Sequence, residues 1–137
     1  METSVHRPIA EDPRRLREMM ARAETLAREH GLRSVVVGLA GLDGDREFPE
    51  IIDYIESALR VDDHLFRLTR DRAVLLLTDV DLEGAGSIVQ RLLVEYRERY
   101  PSLSEPTVGV GRYEVGPDCD DASIKQVLPR LFGSQTH

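Results

Sequence analysis

Apolar residues recur at intervals of three and four along the first part of the chain, and this spacing predicts a helix over residues 12–30. Asp12 suits the N-cap, Pro13 suits the first helical position, and Gly31 suits the residue after the last turn. The residues that follow, 33–40, are rich in valine and bounded by glycines, which predicts a buried strand. The apolar stripe of the helix comprises Leu16, Met19, Met20, Ala23, Leu26 and Ala27.

The remaining pattern predicts two strands joined by a tight turn, with helices before and after them. A hairpin framed by helices indicates an α/β protein of the α+β type, in which one central sheet with mixed strand directions carries helices packed on it. No repeat, low-complexity tract or linker interrupts the chain, so we expect one domain over residues 12–137 after a flexible segment at 1–11. In order, the elements are a helix over 49–60, strands at 64–69 and 73–78, a helix within 79–101, a strand within 105–115 and a last helix within 120–132 that Pro129 interrupts.

The composition is that of an ordinary globular chain, and it excludes several classes of protein. Of 137 residues, 41% are hydrophobic and 31% are charged, which suits a domain with its own core. No apolar run can span a bilayer and the N-terminal residues lack a signal-peptide core, so we expect a cytoplasmic protein without membrane contact. The net charge of −7 argues against nucleic-acid binding, and one cysteine excludes an internal disulfide. The four histidines are too scattered to predict a zinc site.

A framework of polar and apolar positions surrounds the predicted hairpin. Its members are Arg60, Asp63, Arg67, Leu68, Leu82, Ala85, Ile88, Arg91, Thr107 and Gly111. Together they resemble the GGDEF domain, the family of diguanylate cyclases that joins two GTP molecules into cyclic di-GMP. Family members carry R-x-x-D and R-[YL] before a Gly-Gly-Asp/Glu-Glu-Phe hairpin, and a helix and a T-v-S-i-G strand after it. The resemblance covers residues 33–115 and implies a bacterial signalling domain with a nucleotidyl-cyclase-like sheet.

The hairpin itself departs from the family, because Thr69-Arg70-Asp71-Arg72-Ala73 replaces the signature motif. In the family, the glycines let the backbone approach the GTP phosphates, and the second acid serves Mg²⁺ binding and activation of the 3′ hydroxyl. Arg72 stands at that acid position, where a cation repels Mg²⁺ and cannot act as a base. Arg70 adds bulk where the family has glycine. We therefore interpret 69–72 as a vestigial active-site hairpin without catalytic residues.

The family's other metal carboxylate ends the first strand, and the matching position here is Gly41, with Asp43 close by. The following loop, which in the family holds guanine and ribose, is shortened to "GDREFP". The resemblance thus predicts a degenerate cyclase that is not an enzyme and that needs no metal or cofactor.

A second site of the family survives in the sequence. The resemblance implies an inhibitory-type site for cyclic di-GMP, made by the R-x-x-D residues Arg60 and Asp63 and completed by Arg91. An arginine fork matches guanine O6 and N7 or phosphate oxygens, and an aspartate can accept from the N1 and N2 edge of guanine. A structural interpretation stays open, since Arg60 suits a helix C-terminus, Asp63 suits a turn and Arg91 suits a solvated helix face.

Two other functions remain open from the sequence. One is a nucleotide-independent module for protein interaction or dimerisation, which would use the helix at 12–30 or the altered hairpin. The other is a different nucleotide enzyme on a ferredoxin-like scaffold, which would need a carboxylate pair that the sequence does not supply.

Three smaller features have structural interpretations. The "GPDCDDAS" stretch, with Asp118, Cys119, Asp120 and Asp121, is typical of a turn and N-cap rather than a metal site. The "LDGDRE" stretch lacks the ligand run and distal glutamate of a calcium loop. Met19 and Met20 suit the core or an interface.

Overall fold

The computed structural model describes residues 12–42, 45–101, 108–118 and 123–133, so the expected flexible segment at 1–11 lies outside the described residues. The predicted order of helices and strands is confirmed. Within the described residues, no helix is both long enough and apolar enough to cross a membrane. The elements are α1 (Pro13–His30), β1 (Ser34–Ala40), α2 (Phe48–Ser57), β2 (His64–Thr69), β3 (Arg72–Thr78), α3 (Leu82–Arg99), β4 (Gly109–Val115) and α4 (Ile124–Phe132).

The four strands form one sheet in the order β2-β3-β1-β4, and the α+β class is confirmed. The prediction of mixed strand directions is wrong, because β1 pairs antiparallel with β3 and with β4, and β2 pairs antiparallel with β3. Helix α2 carries the chain from β1 to the far edge, where β2 runs parallel to β1 but is separated from it by β3. Strands of the same direction are therefore never neighbours, which is the strand order of a ferredoxin-like βαββαβ unit.

Helices cover both faces of this sheet. Alternate residues of β1 point to opposite sides, as a strand requires, so Val35 and Val37 pack in one core cluster and Val36 packs in the other. Helices α2 and α3 cover the first face, and α1 and α4 cover the second. Five of the six residues in the apolar stripe of α1 are buried against its own sheet, so that face of the helix is not available to a partner.

Helix α4 approaches the sheet closely at a pair of glycines. Gly38 of β1 lies opposite Gly111 of β4. A Cβ on Gly111 would lie within van der Waals overlap of the Leu131 carbonyl oxygen, and a Cβ on Gly38 would lie 2.7 Å from Leu131 Cβ. Helix α4 can pack this close to the sheet only because both positions are glycine.

The predicted interruption of the last helix at Pro129 is wrong, because α4 continues through it. Proline fits the helical φ and removes one amide donor. Burial of Val127, Leu131 and Phe132 against the sheet stabilises the helix despite that loss.

Arg67, one of the framework positions, joins β2 to α2. Its Nη2 lies 2.7 Å from Asp53 Oδ1 and 2.9 Å from Glu56 Oε1, and its side chain is largely buried. These ion pairs fix the helix over the strand beside the vestigial hairpin.

Candidate nucleotide-binding site

The two outer residues of the R-x-x-D motif are brought together by the turn between α2 and β2. The Asp63 amide donates to the Arg60 carbonyl at 3.0 Å. Asp63 Oδ2 accepts from the Arg60 amide at 3.2 Å and from Arg60 Nε at 3.1 Å. Asp63 Oδ1 accepts from Arg60 Nη2 at 3.3 Å and from the Thr78 amide at 3.1 Å. The motif is therefore a local structure that ties this turn to the end of β3.

The two partners of this ion pair differ sharply in exposure. The Asp63 side chain is 4% exposed, whereas the Arg60 side chain is 57% exposed. Arg60 Nη2 also donates to the Thr78 carbonyl at 2.6 Å. The hydrogen bond to Asp63 raises the pKa of Arg60 above its usual value, so the guanidinium stays charged. Asp63 thus holds Arg60 from the protein side, while more than half of the Arg60 side chain remains exposed.

Arg91 lies in different surroundings, on the exposed side of α3. Its side chain is 64% exposed, and its Nε lies 3.8 Å from Glu95 Oε2 one turn further along the helix. It lines a groove of about 610 Å³ between α3 and β4. Among the described residues, neither Arg60 nor Asp63 lines this groove. The structure therefore joins two members of the predicted triad and places the third in a groove of its own.

Arg112 is a residue of this groove that the sequence analysis did not identify. Its Nη1 donates to the Leu82 carbonyl at 2.7 Å and lies over Gly86, where a Cβ would be 2.6 Å from Nη1. The groove thus carries two exposed arginines, Arg91 and Arg112. The sequence carries no local signal for it, because the contact of Arg112 with the Leu82 carbonyl depends on how α3 packs against β4.

The hairpin turn is formed without any left-handed residue. Among the described residues, φ is positive only at Gly31 and Asp79, so neither Arg70 nor Asp71 at the tip needs glycine. The register instead shifts between Arg67 and Thr69, which adds an unpaired residue to β2. This bulge lets the turn tolerate residues other than glycine.

The tip of the hairpin is attached to the end of β1. The Gly41 amide donates to the Asp71 carbonyl at 2.8 Å, and the Thr69 hydroxyl accepts from the Asp71 amide at 3.2 Å. A Cβ on Gly41 would lie 2.7 Å from the Phe48 ring. Phe48 therefore occupies the space that a side chain at Gly41 would need, while Asp43 lies outside the described residues.

The arginine that replaces the second acid points to the face covered by α4. The Cζ of Arg72 lies 5.0 Å from the centroid of the Phe132 ring, within the range of a cation–π interaction. Within the described part of the chain, no group of three or more His, Cys, Asp or Glu residues could hold a metal ion. Neither Arg72 nor Gly41, which the sequence analysis matched to the family's two metal positions, carries a carboxylate.

The smaller candidates have structural positions where they are described. Met19 and Met20 are buried in the core. Asp45 Oδ1 accepts from the Glu47 amide at 2.9 Å before α2. Of the "GPDCDDAS" stretch, residues 119–122 lie outside the described residues.

Comparison with solved structures identifies the fold. PelD from Pseudomonas aeruginosa PA14, in complex with c-di-GMP, is 25% identical with a TM-score of 0.69 over 90% of this chain and 46% of the PelD chain. The diguanylate cyclase SiaD from Pseudomonas aeruginosa, in complex with its activator SiaC, is 24% identical with a TM-score of 0.71 over 95% of this chain and 56% of SiaD. The GGDEF domain of DgcB from Caulobacter crescentus, in complex with c-di-GMP, is 15% identical with a TM-score of 0.69 over 98% of this chain and 92% of that domain.

The chain has the GGDEF fold. The resemblance drawn from the sequence is confirmed at this level. The chain spans about half the length of PelD and SiaD and nearly all of the DgcB GGDEF domain. Neither protein-family models nor curated proteins gave a match to the sequence.

Proposed function

We propose that this GGDEF-like chain is a catalytically inactive signalling domain that binds cyclic di-GMP at Arg60 and relays its occupancy to a protein partner. The observation that carries the proposal is the Arg60 side chain, whose guanidinium a buried carboxylate holds in place and which is still 57% exposed as a whole. Two structures of this fold, PelD and the DgcB GGDEF domain, are complexes with c-di-GMP, which supports the choice of ligand.

The chemistry of Arg60 suits this ligand. A guanidinium that is already oriented loses little conformational entropy on binding, and its flat fork matches guanine O6 and N7 or two phosphate oxygens. Asp63 acts in this proposal as a positioning residue, because its carboxylate is buried and accepts four hydrogen bonds from Arg60 and Thr78. Arg91 lies apart from this pair, in the groove between α3 and β4, and in this proposal it reaches the same dinucleotide from there with a side chain that is 64% exposed.

The proposed lack of cyclase activity has two physical reasons. Arg72 brings a positive charge to the family's metal position and packs on Phe132. Gly41, at the other metal position, has Phe48 where a carboxylate would be. Incubation with GTP and Mg²⁺ should therefore yield no cyclic di-GMP, and detection of the product by chromatography would refute this part of the proposal.

Calorimetric titration with cyclic di-GMP tests the binding. We expect Arg60→Ala to weaken binding by about 1–3 kcal/mol, which is about 5- to 150-fold in Kd, and Arg91→Ala to weaken it as well. Arg28→Ala is the matched control for Arg91, because Arg28 is an exposed arginine in a comparable i,i+4 pair with Glu24. Absence of heat with the unmodified chain, or equal losses in Arg91→Ala and Arg28→Ala, would contradict the proposal.

A nucleotide-independent interaction module is the second candidate. SiaD is bound to its activator SiaC, which shows that a protein with this fold can form a complex with another protein. The burial of Asp63 also fits a motif that serves only the fold. A stable homodimer in light scattering, with no heat from cyclic di-GMP, would favour this candidate. Its interface would not be the apolar stripe of α1, which is buried.

A further inference from the structure

Helix α2 and the end of α3 enclose a cleft whose residues have no role in the proposed function. It measures about 420 Å³, and we call it the tyrosine cleft. The chain has four tyrosines, and three of them line it. Its lining residues are Glu50, Asp53, Tyr54, Ser57, Tyr96, Arg99 and Tyr100.

The three rings form one cluster. Tyr54 meets Tyr96 edge-on, with centroids 5.7 Å apart, and meets Tyr100 edge-on at 6.5 Å. The ring centroids of Tyr96 and Tyr100 lie 5.1 Å apart. Tyr96 is buried, whereas Tyr100 is 52% exposed, so the cluster has a fixed base and an accessible rim. Tyrosines arranged in this way are typical anchors of protein interfaces.

The rings of the cleft already attract guanidinium groups of the same chain. The Cζ of Arg99 lies 5.9 Å from the centroid of Tyr54, and the Cζ of Arg97 lies 6.0 Å from the centroid of Tyr96. The negative face of a tyrosine ring favours a planar cation in this position. The side chain of Arg99 thus already makes, within the same chain, the kind of ring contact that the tyrosine cleft can offer to an arginine.

Two carboxylates and the guanidinium of Arg99 are the charged groups that line the cleft. Asp53 lines it and is already paired with Arg67. Glu50 lines it too, is exposed, and has no ion-pair partner among the residues that the structure describes. An incoming cation would therefore gain an ion pair with Glu50 as well as a ring contact.

We propose that the tyrosine cleft is a docking site for an arginine side chain of a protein partner. The guanidinium lies on the exposed tyrosine rim and pairs with Glu50, while Arg99 competes with it for the rings. Charge complementarity and planarity select arginine, and the open cleft admits a side chain from another folded protein. This site is independent of cyclic di-GMP.

Two short peptides test the proposal on the full chain by ¹H–¹⁵N NMR titration. The probe is acetyl-Gly-Arg-Gly-amide, and the control peptide carries citrulline, which has nearly the same shape without the charge. We expect the arginine peptide to shift the amides of Glu50, Tyr54 and Tyr100, and the citrulline peptide to leave them in place.

Three variants and a matched control make the test specific. Glu50→Gln should weaken binding of the arginine peptide about two- to fivefold, and Tyr100→Ala should weaken it similarly. Glu83→Gln should leave it unchanged, because Glu83 occupies the first turn of α3 as Glu50 occupies that of α2, so both substitutions remove the same helix-dipole contact. Arg99→Gln should strengthen binding about two- to fivefold, since it removes the internal competitor.

The outcomes decide between the proposal and a purely structural cluster. The proposal would be overturned if both peptides shifted the amides equally, or if Glu50→Gln and Glu83→Gln had equal effects. It would also be overturned if the Arg99→Gln protein bound the arginine peptide more weakly than the unmodified chain. A thermal unfolding curve for each variant shows that a loss of binding is not a loss of fold.

Discussion

Asp62 and Asp63 are neighbours in the sequence that meet different surroundings. Asp62 is exposed and accepts the Thr78 hydroxyl through its main-chain carbonyl at 2.9 Å, whereas Asp63 is buried and uses its carboxylate. Asp63→Ala leaves the Thr78 amide without its acceptor, so we expect it to lower the free energy of unfolding by about 1–3 kcal/mol.

Asp62→Ala is the matched control for this measurement by urea denaturation. It retains the backbone acceptor, and its effect should stay within about 0.5 kcal/mol. Equal effects of the two substitutions would show that the Asp63 hydrogen bonds contribute nothing to the fold.

Tyr96 gives the protein a dependence on alkaline pH. Burial, together with the nearby charges of Glu47 and Glu50, raises the pKa of Tyr96 to about 12. In the unfolded chain the phenol ionises near pH 10, so ionisation favours unfolding between these two values. Stability should be unaffected by this group below about pH 10 and fall by about 1.4 kcal/mol per pH unit from there to about pH 12.

Urea denaturation at several pH values checks this expectation, with Tyr96→Phe as the comparison. The variant keeps the ring and removes the ionisable hydroxyl, so its alkaline loss should be smaller. Parallel pH profiles for the two proteins would contradict the assignment to Tyr96.

Residue-scale chemistry was only partly predictable from the sequence. The sequence analysis selected Arg60 and Asp63 from the family motif and placed them at a helix end and a turn, but it did not predict that their side chains pair with each other. The groove shared by Arg91 and Arg112 was not predicted either, because it depends on how α3 packs beside β4, which residue spacing along the chain does not give. Likewise, no local pattern indicates that Tyr54 meets Tyr96 and Tyr100.

Among the secondary-structure elements, α4 depends most closely on its contact with the sheet. A methyl group on Gly111 would overlap the Leu131 carbonyl oxygen, which belongs to the helix backbone and cannot move like a flexible side chain. Gly111→Ala should therefore destabilise the protein by about 1–3 kcal/mol as α4 is displaced.

Gly116→Ala is the control, because the nearest atom to its added Cβ is Arg33 Cγ at 3.8 Å. Both variants change one glycine to alanine, within β4 at Gly111 and directly after β4 at Gly116, and only Gly111→Ala creates a clash. A Gly111→Ala protein as stable as Gly116→Ala would show that the helix shifts without cost.

Local sequence signals explain why the elements were predicted well. Asp12 caps α1 through its carboxylate, which accepts from the Arg14 amide at 3.0 Å, and Gly31 ends the helix at φ 63°. The turn at 69–72 was harder, because the bulge that lets it do without glycine is a property of strand pairing. Pro129 misled the prediction because tertiary burial outweighs one missing hydrogen bond.

At the scale of the whole molecule, α1 forms part of a helical layer on the second face of the sheet. Ala23 in its stripe is fully buried, whereas Ala21 on the other side is exposed. Ala23→Glu should lower the free energy of unfolding by about 4 kcal/mol or more, because it buries a charge against the sheet. Ala21→Glu should be neutral.

Circular dichroism during urea denaturation and light scattering together check this prediction. A helix that served only as a contact to another protein would respond differently, since Ala23→Glu would then change the oligomeric state and leave the stability of the fold intact.

Strand directions were the main global feature that the sequence analysis mistook. Hydrophobic patterns report which residues are buried, but they do not report which strand lies beside which. The order β2-β3-β1-β4 requires helix α2 to carry the chain from β1 to the far edge of the sheet. The residues of α2 do not predict which edge the chain reaches.

The central position of β1 has a consequence for synthesis on the ribosome. Ser34, at its start, pairs with Thr78 on one side and with Val115 on the other. A nascent chain therefore emerges with a valine-rich strand that gains its first neighbour only after residue 78 and its second only after residue 115 has been made. Contacts between residues far apart in the sequence slow folding, and the edges of β1 stay unpaired and prone to aggregation until these contacts form. We therefore expect co-translational chaperones to bind this protein early.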